Sequence, residues 1–277
     1  MLTDYHVHLR PDGPGTDARE FFTEANAERY REAASERGIA ELGVSEHIYR
    51  FTEALDIWDT PFWRECAVDD IDAYCDFVRG ATDLKLGIEA DFLPGREDRL
   101  QNLLERRDWD FVIGSIHFVG DGALDHEDYD IWGMGIGPEK VWSTYFTWLG
   151  EAARSGLFDV LAHPDLVKHW GAQRPMPEGD LRRFYELAMD GIAQSGVAIE
   201  VSTAGLRKPV GEIYPTKAFL EMCIDAGCPV SLSSDAHTPE VIGHGYEAAL
   251  ALLAECGVTE LAVFEGRERH LEPIGAS

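Results

Sequence analysis

The sequence is poor in the features that usually announce a nucleotide, membrane or nucleic-acid protein. No G-x-G-x-x-G follows its first hydrophobic strand, and no G-x-x-x-x-G-K-[ST] occurs anywhere. Such loops wrap backbone amides around nucleotide phosphates, so their absence removes the usual reasons to expect a nucleotide-binding open sheet. Nothing approaches 18 consecutive apolar residues, and no basic region followed by an apolar run opens the chain. A membrane span and a secretory leader are therefore not expected. Positive charge is scarce: 24 Lys+Arg stand against 51 Asp+Glu, a net charge of −27. That surface repels phosphate backbones and anionic membranes, which disfavours an extended oligonucleotide. A small phosphorylated substrate still binds where metal ions or a few local cations reverse the field. The rest of the acidic excess reads as a solvated face. Cys66, Cys75, Cys223, Cys228 and Cys256 form an odd set without CxxC spacing. They read as reduced thiols rather than a disulfide frame or zinc knuckle, and the expected compartment is the cytoplasm.

What is present is enough apolar residue, 45%, for a sizeable core in 277 residues. Short β-branched runs alternate with longer stretches of helical period, the pattern of β/α units. Strands are expected at 3–8, 39–46, 84–89, 111–117, 158–163, 197–201 and 229–234. Helices are expected at 24–37, 68–80, 96–106, 138–156, 180–196 and 215–227, with a last helix near 246–256 and a short strand near 261–264. Gly38, Gly156, Gly196 and Gly227 each follow a helical run and precede a strand, as C-terminal caps do. Seven such units fit a closed β/α barrel or an open doubly wound sheet, and the missing phosphate loops favour the barrel. The segments 51–67 and 119–137 are long Trp- and Gly-containing loops on the side that shapes barrel active sites. With no repeat or linker, one domain over residues 1–277 is expected.

The residues that carry chemistry fall at strand ends. His6 and His8, in DYHVHLRPDG, end the first strand; Glu46 and His47 end the second, and Glu89 the third. His117 ends the fourth, His163 the fifth, and Asp235 with His237 follows the seventh; only the sixth lacks such a residue. In a β/α barrel these ends meet on one face. An HxH pair on a strand also presents both rings to one side. The six imidazoles together with Glu89 and Asp235 exceed what one four-coordinate ion uses and suit two or three ions, with a carboxylate such as Glu89 bridging. Mixed N/O donors without thiolate favour Zn, Mn or Fe. Ions about 3.5–4 Å apart clamp the oxygens of a phosphoryl group, so the expected chemistry is metal-assisted hydrolysis of a phosphate ester. Arg207 and Lys208, in STAGLRKP after the sixth strand, stand where a phosphate would arrive. His244 lies at a helix start with a possible substrate role. His126 and His169, in loops, and His270, in the polar C-terminal tail, read as surface residues.

Taken together, DYHVH, GVSEH, GIEADFLPG, DFVIGSIHFV, LDHED, AARSGLFDVLAHPD, STAGLRKPVGEIYP and SSDAH resemble the PHP (polymerase and histidinol phosphatase) family of metal-dependent phosphoesterases. The likeness spans nearly the whole chain and is nearest to the histidinol-phosphate phosphatase branch. It implies an α/β fold, a distorted seven-stranded (β/α)7 TIM-like barrel, with a trinuclear centre of divalent ions. It further implies hydrolysis of L-histidinol phosphate to L-histidinol and phosphate, in histidine biosynthesis. The implied ligands are His6, His8, His47, Glu89, His117, His163, Asp235 and His237, with Arg207 on the substrate phosphate. Glu89, Asp235 and His237 are the implied catalytic groups. The family usually supplies one more ligand shortly after its HxH pair; here that register falls near Pro14, flanked by Asp12 and Asp17, and Asp12 is preferred. Asp125 and Glu127 of the acidic loop suit the cationic end of such a substrate. The competing readings are a relative acting on another small phosphorylated metabolite or a nucleotide, and a metal-stabilised regulatory module without activity.

Overall fold

The computed structural model describes residues 1–12 and 16–275, so the Pro14 register lies outside the described residues. Seven parallel strands run in the order in which the chain makes them. They are β1 (Thr3–Asp4), β2 (Glu41–His47), β3 (Lys85–Asp91), β4 (Phe111–Ser115), β5 (Val160–Leu161), β6 (Ala198–Ser202) and β7 (Val230–Ser233). The ring closes where Val7 bridges Ala236 in parallel, through His8 N donating to the Ala236 carbonyl at 2.8 Å. The result is a distorted (β/α)7 barrel, as expected. Two strands are shorter than their apolar runs. The β5 ladder stops before His163, whose φ of 26° leaves the extended region. The β1 ladder stops at Asp4, whose carboxylate accepts from Ser234 N and Oγ across the seam.

The helices pack outside the ring. They are α1 (Ala18–Phe21), α2 (Glu24–Glu36), α3 (Pro61–Cys66), α4 (Ile71–Ala81), α5 (Glu97–Leu104), α6 (Pro138–Ser155), α7 (Arg182–Ser195), α8 (Lys217–Asp225) and α9 (Tyr246–Glu255). Side-chain caps start several of them: Thr23 accepts from Asn26 N at α2, and Asp70 from Asp72 N and Ala73 N at α4. The four expected capping glycines all have positive φ. The segment expected as loop over 51–67 instead folds into a 3-10 turn (Thr52–Asp56) and α3, begun by the Thr60–Pro61 cap. Among the described residues no helix is long and apolar enough to cross a membrane.

The barrel interior divides into two ends. At the N-terminal end Tyr5, Phe111, Ile113, Val160 and Ala198 form an apolar plug with Ala262, Val263 and Phe264 of β8 (Glu260–Glu265). The Phe111 ring lies so close to β2 and β3 that a Cβ on Gly87 would sit 2.2 Å from it, and one on Gly43 2.6 Å. Only glycine admits that ring. Strand β8 pairs antiparallel with β9 (Glu268–Pro273), a strand not expected from ERHLEP because all six of its residues are exposed. His270 is exposed as anticipated, but in this strand rather than in a tail. With the N-terminal end filled by hydrocarbon, the polar residues of the strands are gathered at the opposite end.

Candidate metal centre

At the C-terminal end of the strands the expected residues converge. Glu89 is central and fully buried, and its two oxygens face different partners. Oε2 lies 3.3 Å from His6 Nε2 and 3.6 Å from His8 Nε2, and contacts His47 Nδ1. Oε1 lies 3.1 Å from His163 Nε2 and 3.2 Å from His117 Nε2, and accepts from Ser115 Oγ at 2.5 Å. Asp235 Oδ1 closes the first group, 3.7 Å from His6 Nε2 and 3.5 Å from His8 Nε2. Four overlapping sets have donor atoms all within 4.8 Å of one another: His6–His8–Asp235, His6–Glu89–His163, His47–Glu89–His117 and His8–His47–His237. All eight implied ligands thus belong to one cluster.

The donor set fits transition-metal ions. His6 Nε2, His8 Nε2, Glu89 Oε2 and Asp235 Oδ1 are buried polar atoms without a hydrogen-bond partner. Leaving such atoms unpaired costs about 1–3 kcal/mol each, so a cluster of them calls for a ligand. The four His-to-carboxylate separations among them, 3.3–3.7 Å, are short enough for one ion with zinc-to-donor bonds of about 2.0–2.2 Å to touch both atoms of a pair. Imidazole and carboxylate donors without sulfur suit Zn, Mn or Fe.

The ionisation pattern says the same. Burial opposes the charge on Glu89, yet His47, His6 and His117 hold its carboxyl well below the usual range. Asp235, likewise buried, is held down by His6, His8 and His237. Against its own burial, His6 is raised well above the ordinary imidazole value by Glu89, Glu200 and Asp235, and His117 by Glu89 and Asp91. His8 is pushed well down by burial and by His47 and His237, whose rings stack against it at centroid distances of 4.1 and 4.2 Å. Without metal, protons on alternate imidazoles balance the carboxylates, a task that divalent cations perform better.

Of the two carboxylates flanking the Pro14 register, Asp12 is the one that lies beside the cluster. Its Oδ2 lies 2.9 Å from His237 Nε2, and its Oδ1 accepts from Arg50 Nη2 at 2.5 Å. Arg50 also holds the Arg10 carbonyl at 2.8 Å and pairs with Glu46, fixing the turn that carries Asp12. Asp17 instead caps α1 and pairs with Arg19 at 2.8 Å. Arg207 Nη2 donates to the carbonyls of Ser234 (2.7 Å) and Asp235 (3.0 Å), while its buried Nη1 has no partner. Lys208 and His244 are exposed, and neither belongs to the donor sets. His169, expected at the surface, is buried against Trp170, and burial takes its imidazole down to about 4. His126 is half-buried, edge-on to Phe62.

Several supporting groups are not evident from strand-end positions alone. Glu200, on the sixth strand, lies 2.8 Å from His6 Nδ1, and Asp91 lies 2.9 Å from His117 Nδ1. Glu46, which the strand-end pattern does name, stays out of the donor sets and accepts from Leu9 N (2.7 Å) and Arg10 N. The available signal is an acid within an apolar buried run, AIEVS or GIEAD, where a charge needs a partner. Two donor residues, His163 (φ 26°) and Asp235 (φ 49°), are left-handed without being glycine, and Arg267 is the one other such residue among those described. Strain of this kind, about 1–3 kcal/mol per residue, concentrates where function requires it.

Comparison with known proteins establishes the family and the fold. A "probable histidinol-phosphatase" of Deinococcus radiodurans is 31% identical, over 98% of this chain and 99% of its own length. The structure of a "putative histidinol phosphatase" from Listeria monocytogenes superposes with a TM-score of 0.72 at 20% identity, covering 89% of this chain and 99% of that one. The histidinol phosphate phosphatase of Lactococcus lactis, solved with zinc, L-histidinol and phosphate, gives 0.68 at 17%, covering 97% of this chain and 98% of that one. The PHP domain profile matches residues 20–204, and with these likenesses the chain belongs to the PHP family.

Proposed function

We propose that the protein is a metal-dependent phosphomonoesterase that hydrolyses L-histidinol phosphate to L-histidinol and phosphate. The observation that carries the chemistry is the set of unpartnered donor atoms around Glu89, beside an arginine with a free buried N–H group. The substrate rests on the full-length relative named for that activity. When bound, two or three divalent ions supply Lewis-acid charge for the phosphoryl oxygens and a lowered pKa for water. Glu89, facing two donor groups with its two oxygens, would serve both, and His6, His8, His47, His117, His163, Asp235, His237 and Asp12 would complete the set that holds the ions. Arg207, anchored through Nη2, turns Nη1 to a phosphate oxygen and holds it in a charge-assisted bond. Asp235 and His237 are 13% and 19% exposed, against 8% or less for His6, His8, His47, His117 and His163, and stand nearer the mouth than those five. One of them delivers the proton to the leaving alkoxide.

Asp125 is half-buried beside this mouth, and its charge partly offsets the burial that lowers His169. We place the ammonium end of histidinol there, with the exposed Glu127 as a more distant attraction. Lys208 and His244 enter as outer substrate contacts: a changed KM in Lys208→Ala or His244→Ala assigns the role, and an unchanged one removes it. Ligands from His6 to His237 serve one centre, so residues 1–277 act as one catalytic unit. Its five unpaired cysteines fit the cytoplasm, and the acidic surface leaves nucleic acid and membranes without a role as partners. The test is phosphate release by Zn- or Mn-loaded protein from histidinol phosphate, a nucleoside monophosphate and an aryl phosphate. A clear preference in kcat/KM for histidinol phosphate is expected. Turnover no better than on the aryl ester would sink the substrate assignment.

A further inference from the structure

Strand β6 contributes no residue to the four donor sets, yet it buries a carboxylate that touches two of the ligands. Glu200 is 1% exposed. Its Oε1 lies 2.8 Å from His6 Nδ1, and its Oε2 accepts from the backbone N–H of His163 at 2.6 Å. The first contact sets a tautomer. With Nδ1–H donating to Glu200, the neutral, metal-binding form of His6 keeps its lone pair on Nε2, the atom that faces Glu89 and Asp235. The second holds a strained backbone. His163 has a φ of 26°, and its peptide is gripped on both sides: Glu200 takes its N–H, and Tyr145 Oη donates to its carbonyl at 3.2 Å. By contrast, the carboxylate behind His117, Asp91, is seen to bond only a ring nitrogen.

We propose that Glu200 is a positioning residue that sets two metal ligands at once, fixing the tautomer of His6 and the strained backbone of His163. This rests on the metal-centre reading above. Glutamine is the informative replacement, because it keeps the shape but has only one acceptor oxygen. If that oxygen faces the His163 amide, its NH2 group faces His6 Nδ1 and drives the ring proton to Nε2, blocking the ligand atom. If it faces His6, the NH2 group opposes the His163 N–H. Either orientation disables one ligand.

Zinc affinity of metal-stripped wild-type and Glu200→Gln protein, measured by competition with a chromophoric chelator, provides the test. The variant should bind at least one zinc about 10–100-fold more weakly. Equal affinities overturn the role of Glu200 and leave the metal centre intact, whereas a wild type that takes up no zinc refutes the reading beneath it. If Glu200→Gln does not fold, the wild type decides the matter. In zinc-loaded protein carrying 15N-histidine, the His6 ring should bear its proton on Nδ1; a proton on Nε2 overturns the proposal.

Discussion

Replacing Glu89 by glutamine tests both the electrostatics of the centre and its capacity for metal. In the metal-free protein Glu89 lies 3.1–3.3 Å from ring nitrogens of His163, His117 and His6. At an effective dielectric of 20, a unit pair at that distance attracts by about 5 kcal/mol. Much of that is offset by desolvation, and removing one partner of a buried pair costs about 3–5 kcal/mol. The cost depends on pH, and its sign follows from the two kinds of shift. His6 and His117 have raised folded values, so what they contribute is fully present below the ordinary imidazole pKa and lost as pH rises through those values. Glu89 has a depressed value, so its contribution is present above the ordinary carboxyl pKa and fades only in acid. At pH 6 both conditions hold, and chelator-treated Glu89→Gln should melt about 6–10 °C below wild type, taking roughly 2 °C per kcal/mol for a chain of this size. At a pH above those raised imidazole values the protons are gone, and the wild-type carboxylate is itself the unpaired buried charge, so the difference should vanish or reverse. With metal present, losing this carboxylate should lower occupancy at limiting metal, and phosphate release should fall with it. Equal melting shifts at both pH values, or near-normal turnover, would refute the reasoning.

Three other outcomes follow from separate parts of the structure. Arg207→Ala should raise KM for a phosphomonoester about 10–100-fold, the loss of roughly 1.5–3 kcal/mol from a hydrogen bond to a charged group, and an unchanged KM removes Arg207 from the phosphate. Zinc affinity, followed by calorimetry, should weaken as pH falls from 8 to 6, because protons favoured on His6, His117 and His237 must leave before metal binds; a flat profile contradicts the raised imidazoles. Gly87→Ala puts a methyl carbon 2.2 Å from the Phe111 ring and should cost about 1–3 kcal/mol or more of stability, whereas an unaltered melting temperature would show that the ring can move aside.

The barrel is legible in the sequence because buried parallel strands read as apolar runs, and the glycines after the helices mark their ends. The ligands are legible for a related reason: a histidine or acid that closes an apolar run stands out from its surroundings. Short-range disruptions are harder to read. His163 ends β5 early through a backbone angle that no residue pattern announces. The all-exposed β9 has no apolar alternation, because its pairing with β8 is made through the backbone. His169 is polar and sits in a loop, yet Trp170 and Tyr214 enclose it, a contact made only in three dimensions. Glu200 is visible as an acid in AIEVS, but its service to His6 joins residues 194 positions apart. The choice of Asp12 over Asp17 likewise depends on Arg50, which pulls one carboxylate to the centre while Arg19 ties down the other.

The central claim is that the strand ends hold divalent ions which, with Arg207, receive a phosphate. Anomalous diffraction at the zinc edge, from crystals of zinc-loaded protein soaked with inorganic phosphate, tests it most directly. The account predicts at least two anomalous peaks on either side of Glu89, one among His6, His8 and Asp235 and one within reach of His117 or His47, with phosphate in contact with Arg207. Fully loaded crystals with no anomalous peak among these residues would contradict it.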